Sequence, residues 1–391
     1  MSHPVPRTLI FLVTEDWYFV SHRLPLARAA VAEGYRVVVA TRIGNHGDTL
    51  RHAGCEIAPL SWSRGAGHLL GDIRLLFRML ALYRRERPTV VHHVALKPVI
   101  YGSLIARLVG VPVTVNAIAG LGFVFTNQTA LARGLRPLIR TALRLLLGQR
   151  GAWTILQNPD DRALLCAELG LQPDRAVLIR GAGVDLEEFP AAPEPEGAVV
   201  IALVARMLWD KGVGEFVAAA RQLRRDGCTA RFVLVGGVDP DNPRAIPEAV
   251  LDELVTEGVV EWWGHRTPMA AVYASVHVVV LPSYREGLPK CLLEAAASGR
   301  PVITTDVPGC REAVRDGESG MLVPVRQVAP LASAIRQLID RADLRTRMGA
   351  AGRRMMEDEF SVDDVVRRTL RLYRTAPEHV GSTSGDDGPG V

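Results

Sequence analysis

The sequence predicts an α/β protein of two Rossmann-like, doubly wound domains that face each other across a cleft. Two observations support this prediction. Short apolar runs alternate with longer amphipathic stretches, which is typical of βαβ units that form a parallel sheet covered on both faces. The alternation stops at a Pro- and Glu-rich segment, 190–197, and then restarts. A length of 391 residues also suits two domains.

The first domain is assigned to residues 1–189. Its strand-like runs are 8–13, 36–40, 89–93, 111–116 and 154–157. The helix-like stretches between them are 25–33, 69–87, 98–109 and 130–147. Each apolar run has the length of a buried strand, and each amphipathic stretch is long enough for a helix that covers the sheet.

The second domain is assigned to residues 198–360, after a linker at 190–197. Its predicted strands are 199–204, 231–235, 277–281, 301–304 and 321–324. We expect an amphipathic helix at 361–376 to cross back to the first domain. The remaining residues, 377–391, are rich in Gly, Ser and Asp, and we expect them to form a disordered tail.

The composition indicates a globular protein of a reducing compartment. Hydrophobic residues make up 48% of the chain, and the net charge of +4 gives no reason to expect a nucleic-acid partner. The five cysteines show no metal-ligand or redox spacing, which predicts free thiols. The apolar run at 8–13 is too short for a signal peptide, and no run reaches the length of a membrane-spanning helix. We expect a cytoplasmic protein, and a position on the inner face of the cytoplasmic membrane stays open.

The stretch 281–297 (LPSYREGLPKCLLEAAA) is the richest in candidate ligand-binding residues. It predicts a strand that ends near Leu281, a loop, and a helix that begins near Pro289. Free N–H groups in the first turn of a helix bind anions, so a diphosphate fits there. Gly287, with Leu288 beside it, would let the backbone approach that ligand closely.

Four charged residues near predicted strand ends complete this candidate site. Glu294 can accept hydrogen bonds from ribose hydroxyls, and Glu286 can contact a sugar or stabilise positive charge at its anomeric carbon. Arg206 and Lys211 follow the first strand of the second domain, where two cations can bind a diphosphate leaving group. The alternatives are surface glutamates beside an amphipathic helix and a solvated basic loop.

The second domain resembles family 4 glycosyltransferases, enzymes of the GT-B fold, over essentially its whole length. The resemblance is carried by Arg206-x4-Lys211-Gly212, Glu286-x7-Glu294, GRPV at 299–302 and Asp316-Gly317-x2-Gly320. It implies that Arg206 and Lys211 bind the donor diphosphate. It also implies that Glu294 binds ribose and that Glu286 contacts the donor sugar. The donor would be a nucleotide sugar, with UDP as the nucleotide, and no cofactor would be needed. Members of this family retain the anomeric configuration.

The first domain resembles a branch of that family that builds bacterial surface glycans. The similar stretches are 14–27 (TEDWYFVSHRLPLA), 93–102 (HVALKPVIYG) and 120–123 (GLGF). This resemblance implies a lipid-diphosphate-linked glycan as the acceptor and an N-acetylhexosamine or related sugar as the group transferred. The glycine pair common in the loop after the first strand is replaced here by Glu15-Asp16-Trp17, so no donor contact is carried over to that loop.

Four polar residues of the first domain are candidates for the chemistry and the acceptor side. Asp16 follows the first predicted strand and His93 ends the predicted strand at 89–93, so both are expected to point toward the cleft. Asp16 would orient an acceptor hydroxyl, and His93 would hold a donor-sugar hydroxyl or shuttle a proton. The alternative for His93 is a hydrogen-bonded structural histidine. Lys97 is a candidate for binding an acceptor phosphate, and Arg23 is a second acceptor-side candidate.

An arginine stripe within 130–147 suggests contact with a membrane. It consists of Arg133, Arg136, Arg140 and Arg144, at spacings of three and four. The apolar residues expected opposite it are Leu135, Leu138, Ile139, Ala142 and Leu146. A basic amphipathic helix can lie on anionic lipid, although solvated arginines on a sheet-covering helix are the alternative. The similar stretch at 74–85 is interpreted as an ordinary sheet-covering helix.

Two classes of nucleotide-binding protein are excluded. A nicotinamide dehydrogenase needs GxGxxG after its first strand, where this chain has TEDWY at 14–18. Gly181 and Gly183 have no third glycine, because Leu186 stands at that position. A P-loop ATPase is excluded because the chain has no GxxxxGK[ST]. A sugar-nucleotide epimerase or hydrolase of the same fold and a non-catalytic sugar-nucleotide-binding protein stay open.

The sequence also predicts an active site without metal. Asp239 and Asp241 have Asp-x-Asp spacing, but they lie in a Pro- and Asn-rich stretch that predicts a turn. We expect the donor's charge to be balanced by Arg206, Lys211 and the helix end instead.

Overall fold

The structure, a computed structural model, describes residues 7–62, 69–118 and 130–381, except for the side chains of 69, 130–136 and 375–381. The chain forms two compact units, one of Met1–Ala182 with Val365–Val391 and the other of Gly183–Asp364. Each unit contains one parallel β-sheet with helices on both faces. Two Rossmann-like, doubly wound α/β domains are therefore confirmed.

The first unit alternates strands and helices along the chain. Its strands are β1 (Thr8–Glu15), β2 (Arg36–Arg42), β3 (Glu56–Pro59), β4 (Val90–Val94), β5 (Val113–Ile118), β6 (Ala152–Leu156) and β7 (Ala176–Leu178). Its helices are α1 (Asp16–Ala32), α2 (Gly47–His52), α3 (Leu69–Glu86), α4 (Leu96–Val109), α5 (Ala130–Leu147) and α6 (Pro159–Leu169), and the last helix of the chain, α13 (Val362–Gly381), joins them from Val365 onward.

The sheet of the first unit has the strand order β3-β2-β1-β4-β5-β6-β7. Alternate residues of its buried strands point to opposite faces, so the core lies in two layers. Phe11 of β1 packs with α1 and α13 on one face. Leu12, its neighbour, packs with α3 and α4 on the other face. The order of the strands reverses between β1 and β4, which is where ligands bind in open α/β sheets.

The second unit repeats this design. Its strands are β8 (Val200–Val204), β9 (Arg231–Val235), β10 (Glu261–Gly264), β11 (Val278–Leu281), β12 (Val302–Thr305) and β13 (Gly320–Val323). Its helices are α7 (Val213–Arg225), α8 (Glu248–Thr256), α9 (Met269–Ala274), α10 (Lys290–Ala297), α11 (Val328–Asp340) and α12 (Ala342–Glu359). The strand order is β10-β9-β8-β11-β12-β13, so the order reverses between β8 and β11.

The predicted linker, 190–197, lies inside the second unit. Arg300 is 1% exposed and donates to the carbonyl oxygen of Pro193 at 2.7 Å. Arg345 forms an ion pair with Glu194 at 2.9 Å. The segment has the composition of a linker, but two buried arginines fix it to the second unit. The division between the units falls earlier, between residues 182 and 183.

The last helix packs on the first unit. The Tyr373 hydroxyl forms a hydrogen bond with Nδ1 of His92, and Nε of Arg374 donates to Glu33 at 3.1 Å. Residues 377–381 of the predicted tail belong to α13, and 382–391 lie outside the described residues. Within the described part of the chain, no helix is both long and apolar enough to cross a membrane.

Candidate active site

The loop after β8 holds the predicted phosphate-binding cations Arg206 and Lys211. It ends in a 3-10 turn (Trp209–Lys211) and in Gly212, whose φ of 75° lies in the left-handed region. A Cβ atom at position 212 would lie 2.1 Å from the carbonyl oxygen of Pro282. Because glycine has no Cβ, this loop can pack directly against the loop that follows β11.

This close approach places Lys211 beside Glu286. Nζ of Lys211 forms an ion pair with Oε1 of Glu286, and the Ser283 hydroxyl donates to the same oxygen at 2.7 Å. The two charged side chains are only 19% and 13% exposed, so solvent screens the pair weakly. A Cβ at Gly309 would lie 2.4 Å from the Glu286 carbonyl oxygen, which shows how tightly the loop is packed. The pair lies at the carboxyl ends of β8 and β11, where the strand order reverses.

Glu294 is also held in place by two partners. Its side chain projects from α10 and is buried, with Lys290 at 3.0 Å from one carboxylate oxygen and the Tyr273 hydroxyl donating to the other at 2.8 Å. Burial raises the pKa of Tyr273 well above its ordinary value, so this phenol stays protonated and remains a donor. Each carboxylate oxygen keeps a second lone pair that can accept a hydrogen bond from a ligand hydroxyl.

The start of α10 has the backbone geometry expected of an anion site. Pro289 is its N-cap residue, and no side chain among the described residues caps the first turn. Leu288, which precedes it, is 9% exposed. The N–H groups of this turn and the positive end of the helix dipole would favour a bound phosphate.

Arg206 is paired with a carboxylate of the loop that follows β9. One of its terminal nitrogens lies 2.6 Å from Asp239. The loop is tied to the β8 loop by a backbone hydrogen bond of 3.0 Å from Trp209 N to Arg244 O and by an ion pair of 2.9 Å between Arg244 and Asp210. Both predicted phosphate-binding cations therefore have carboxylate partners that a diphosphate would have to replace.

A groove of about 790 Å³ follows the carboxyl ends of β9 and β10. Its lining includes Gly237 and Val238 after β9, Asn242, and Trp262 and His265 at the end of β10. This volume is within the range of small-molecule sites. Val238 and Pro240, the neighbours of Asp239 in the sequence, both line it, so it lies next to the Arg206 contact.

Asp16 organises loops of the first unit. Its carboxylate is 3% exposed and accepts backbone hydrogen bonds from Trp17 at 2.7 Å, Gly44 at 2.7 Å and His46 at 3.1 Å. These contacts tie the end of β1 to the loop after β2. The prediction that Asp16 points into an open cleft is wrong. The residue is instead buried, because three amide donors satisfy its charge.

His93 is fully buried, and both of its ring nitrogens have partners. Nδ1 lies 2.8 Å from Oδ1 of Asn116, and Nε2 lies 3.0 Å from the Tyr83 hydroxyl. Burial lowers its pKa to about 4, so the ring is neutral at pH 7. A Cβ at Gly102 would lie 2.5 Å from the ring. The prediction that His93 faces the cleft is wrong, because α3 and α4 cover this face of β4.

The two acceptor-side candidates differ in exposure. Lys97, in the first turn of α4, forms an ion pair with Asp72 at 2.8 Å, and its side chain is 29% exposed. Tyr101 donates to the same carboxylate at 3.1 Å. Arg23 of α1 is only 4% exposed. Of these two cations, Lys97 is the more accessible to a ligand.

Ser283 and Tyr273 hold the two site glutamates and are not among the predicted site residues. Ser283 lies three residues before Glu286 in the same loop, and that proximity was the available signal. Tyr273 lies 21 residues before Glu294, and only the packing of α9 beside α10 brings them together. Asp239 lies in the stretch predicted as a turn, and the sequence spacing of Arg206 and Asp239 does not reveal that they form an ion pair.

Acidic, histidine and cysteine side chains are the candidate metal ligands of this chain. Within residues 7–62, 69–118 and 130–381, no three of them cluster closely enough to hold a metal ion. The five cysteines are free thiols. Metal independence stays a prediction that needs a measurement.

Two family models match this chain, one in each unit. Residues 8–147 match the model described as Glycosyl transferase 4-like. Residues 198–341 match the model described as Glycosyl transferases group 1. The second match spans the loops that contain Arg206, Lys211, Glu286 and Glu294.

Individual proteins are similar over most of their lengths. The N,N'-diacetylbacillosaminyl-diphospho-undecaprenol alpha-1,3-N-acetylgalactosaminyltransferase of Campylobacter jejuni is 25% identical over 90% of this chain and 94% of its own. The 2-deoxystreptamine glucosyltransferase of Streptomyces kanamyceticus is 30% identical over 70% of this chain and 73% of its own. The crystal structure of Anabaena HepE in complex with UDP and glucose superposes with a TM-score of 0.76 at 15% identity, covering 94% of this chain and all of that one.

Proposed function

This chain belongs to the group 1, family 4 glycosyltransferases of the GT-B fold, and we propose that it transfers a hexose or N-acetylhexosamine from a UDP-sugar to a lipid-diphosphate-linked glycan, with retention of anomeric configuration. The acceptor is proposed because the similar C. jejuni enzyme has a diphospho-undecaprenol-linked acceptor in its name. The nucleotide is proposed by family resemblance, and the UDP bound to the structurally similar HepE is consistent with it.

The observation on which the proposal rests most is the contact of Lys211 with Glu286 at the carboxyl ends of β8 and β11. In the proposed donor complex, diphosphate oxygens replace the carboxylate as partners of Lys211, and Arg206 leaves Asp239 in the same way. When the bond from the anomeric carbon to phosphate breaks, negative charge grows on the diphosphate. Cations that are already in place stabilise that charge without reorganising.

The two glutamates would then contact different parts of the donor. Glu294, held by Lys290 and Tyr273, would accept hydrogen bonds from the ribose hydroxyls. Glu286, released from Lys211, would face the sugar and stabilise positive charge at the anomeric carbon. Gly287 and Leu288 would lie beside the diphosphate at the start of α10. The groove near Gly237 and His265 would accept the nucleoside end.

Retention without a protein nucleophile is the proposed course of reaction. The acceptor oxygen would attack the anomeric carbon from the face that the diphosphate leaves, and its proton would pass to an oxygen of the departing phosphate. One carbon–oxygen bond forms as another breaks. This path needs no histidine base, so it is compatible with a buried, neutral His93. It is also compatible with an Asp16 carboxylate that already accepts hydrogen bonds from three backbone amides.

The acceptor would be presented at the inner face of the cytoplasmic membrane. Lys97 is the proposed contact for its phosphate, because its ammonium group is partly exposed at the start of α4. Arg23 would take a secondary role, since it is almost completely buried.

Two other functions use the same donor site, and one experiment separates them from glycosyl transfer. Purified protein is incubated with UDP-sugars, with and without a short-chain lipid-diphosphate sugar, and the release of UDP and the products are measured. A glycosyltransferase releases UDP rapidly only when the acceptor is present. Acceptor-independent release or epimerisation would establish a hydrolase or epimerase. Tight UDP-sugar binding without any product would establish a non-catalytic binding protein.

A further inference from the structure

Three neighbouring helices cover one face of the first sheet. α3 packs against α4, and α4 packs against α5. Their inner sides are buried, as shown by Met79 on α3, Ile105 on α4 and Leu143 on α5. The outer side of these helices, which we call the α3–α5 surface, is open to solvent and has two unusual properties.

The first property is a row of large apolar side chains on α3. Leu70, Ile73 and Phe77 are 84%, 43% and 67% exposed. Their spacing of three and four residues places them in one line along the helix. Single exposed apolar residues are common on protein surfaces, but a contiguous row indicates contact with something apolar. α3 covers the sheet as predicted for 74–85, and this row lies on its outer side.

The two neighbouring helices also expose large apolar side chains. Leu104 and Leu108 of α4 are 39% and 64% exposed, and Leu138 and Leu145 of α5 are 67% and 60% exposed. Leu138 was expected on the side opposite the arginine stripe. It lies outward instead, because Leu143 and Leu147 supply the buried side of α5.

Arg140 and Arg144 of the predicted stripe are exposed on α5, and Arg140 also pairs with Glu168 at 2.9 Å. The side chains of Arg133 and Arg136 are not among those that the structure describes. The two described arginines therefore share the outer surface with Leu138 and Leu145 rather than lying opposite them.

The second property is an excess of positive charge. The three helices contain ten basic and two acidic residues, a net charge of +8, whereas the complete chain has a net charge of +4. The rest of the chain is therefore net negative. The two acidic residues are neutralised, since Asp72 pairs with Lys97 at 2.8 Å and Glu86 pairs with Arg36 at 2.7 Å.

Arg74 and Arg78 flank the apolar row of α3 and are exposed. Arginines beside exposed leucine and phenylalanine match an anionic bilayer, where the rings and aliphatic chains enter the interface and the guanidinium groups reach the headgroups. A second copy of this surface would be a poor partner, because a symmetric pair would bring like charges together. We propose that the α3–α5 surface docks on an anionic lipid bilayer through Leu70, Ile73 and Phe77 of α3. This inference deepens the proposed function, because a lipid-linked acceptor would be presented at the same bilayer.

Vesicle co-sedimentation tests the proposal. The full chain is mixed with vesicles of phosphatidylglycerol and phosphatidylethanolamine, and separately with phosphatidylcholine vesicles. We expect binding to the anionic vesicles that weakens as salt rises. Ile73→Ser with Phe77→Ser should weaken that binding by about tenfold or more at every salt concentration. Arg74→Gln with Arg78→Gln should weaken it mainly at low salt.

Matched substitutions on the second unit are the control. Val255 is 40% exposed and Arg225 is exposed, and neither is part of the α3–α5 surface. Val255→Ser with Arg225→Gln should leave vesicle binding unchanged. The proposal would be overturned if this control lost as much vesicle binding as the Ile73 and Phe77 double variant. It would also be overturned if that double variant bound anionic vesicles as well as the wild type. A change of oligomeric state in that double variant would overturn it as well, and would assign the surface to contact between copies.

Transfer to a water-soluble, short-chain acceptor separates this inference from the proposed function. The Ile73 and Phe77 double variant should transfer sugar to that acceptor at the wild-type rate. If the wild type transfers sugar but ignores anionic vesicles, the docking proposal fails and the function stands. If it binds vesicles through this surface but transfers nothing, the function fails and the docking proposal stands.

Discussion

Lys211 and Glu286 form an ion pair although they lie 75 residues apart in the sequence. Their contact depends on Gly212, because a side chain there would collide with the carbonyl oxygen of Pro282. The pair holds a cation and an anion side by side at the switch point of the second sheet. We infer that it keeps both groups in place until a donor diphosphate separates them.

Substitutions of this pair should have different kinetic effects. Glu286→Ala should lower kcat by about a hundredfold and change UDP affinity little, because its partner is the reacting sugar. Lys211→Ala should weaken UDP binding and also lower kcat, because its partner is the diphosphate. Steady-state kinetics and calorimetry with UDP measure the two effects. Ser283→Ala is the control for positioning alone and should have a smaller effect than Glu286→Ala. The roles are assigned wrongly if Glu286→Ala changes only nucleotide affinity.

Tyr273 should contribute to nucleotide affinity through Glu294. Glu294→Ala should weaken UDP binding by about 1.5–3 kcal/mol, the usual contribution of hydrogen bonds to a charged group. Tyr273→Phe removes one hydrogen bond to the same carboxylate, so about 0.5–1.5 kcal/mol should be lost. Tyr83→Phe is the matched control, since it removes a buried phenol hydrogen bond in the first unit. Equal UDP affinities for Tyr273→Phe and the wild type would show that Glu294 needs no such support.

Asp239 should compete with the donor for Arg206. Asp239→Asn weakens its contact with that guanidinium, so UDP should bind about two- to fivefold more tightly, as expected from the modest value of a partly exposed ion pair. Arg206→Ala should have the opposite effect. Asp210→Asn alters a comparable exposed pair with Arg244 and should leave the affinity unchanged. Weaker UDP binding by Asp239→Asn would mean that Asp239 positions Arg206 instead of competing for it.

His93 should make stability depend on pH below neutrality. Its pKa is about 4 in the folded state and close to 6.5 when unfolded, so the unfolded chain binds an extra proton between these values. The contribution is fully present above pH 6.5 and is lost as pH falls toward 4, by at most about 3 kcal/mol. Thermal midpoints at pH 7.5 and pH 5 measure it. His93→Gln should show a smaller difference between the two pH values than the wild type. An identical difference in both proteins would contradict the buried, neutral state.

The strands absent from the sequence prediction are all edge strands. β3 and β7 close the two edges of the first sheet, and β10 is an edge of the second. Each has three or four residues, and β3 ends in Pro59. An edge strand is paired on one side only and needs less continuous apolar sequence, so its pattern is weak. The central strands were predictable because both of their faces are buried.

The donor-side residues were also more predictable than the first-domain candidates. Arg206, Lys211, Glu286 and Glu294 follow strand ends in a recognisable spacing. Asp16 and His93 also lie near strand ends, but their orientation depends on packing that spacing does not reveal. In β4, His92 points to α13 and His93 points to α3 and α4, and both faces are covered. The partners on distant segments, such as Tyr273, could only be found in the folded chain.

Sugar transfer through the Lys211 and Glu286 site should need no metal ion. The most direct measurement follows labelled sugar from UDP-sugars into a short-chain lipid-diphosphate acceptor in excess chelator, for the wild type and for Lys211→Ala. We predict that the wild type transfers label at the same rate with and without chelator, and that Lys211→Ala loses about a hundredfold or more. Loss of wild-type transfer in chelator that magnesium or manganese restores would contradict this account, as would equal transfer by the two proteins.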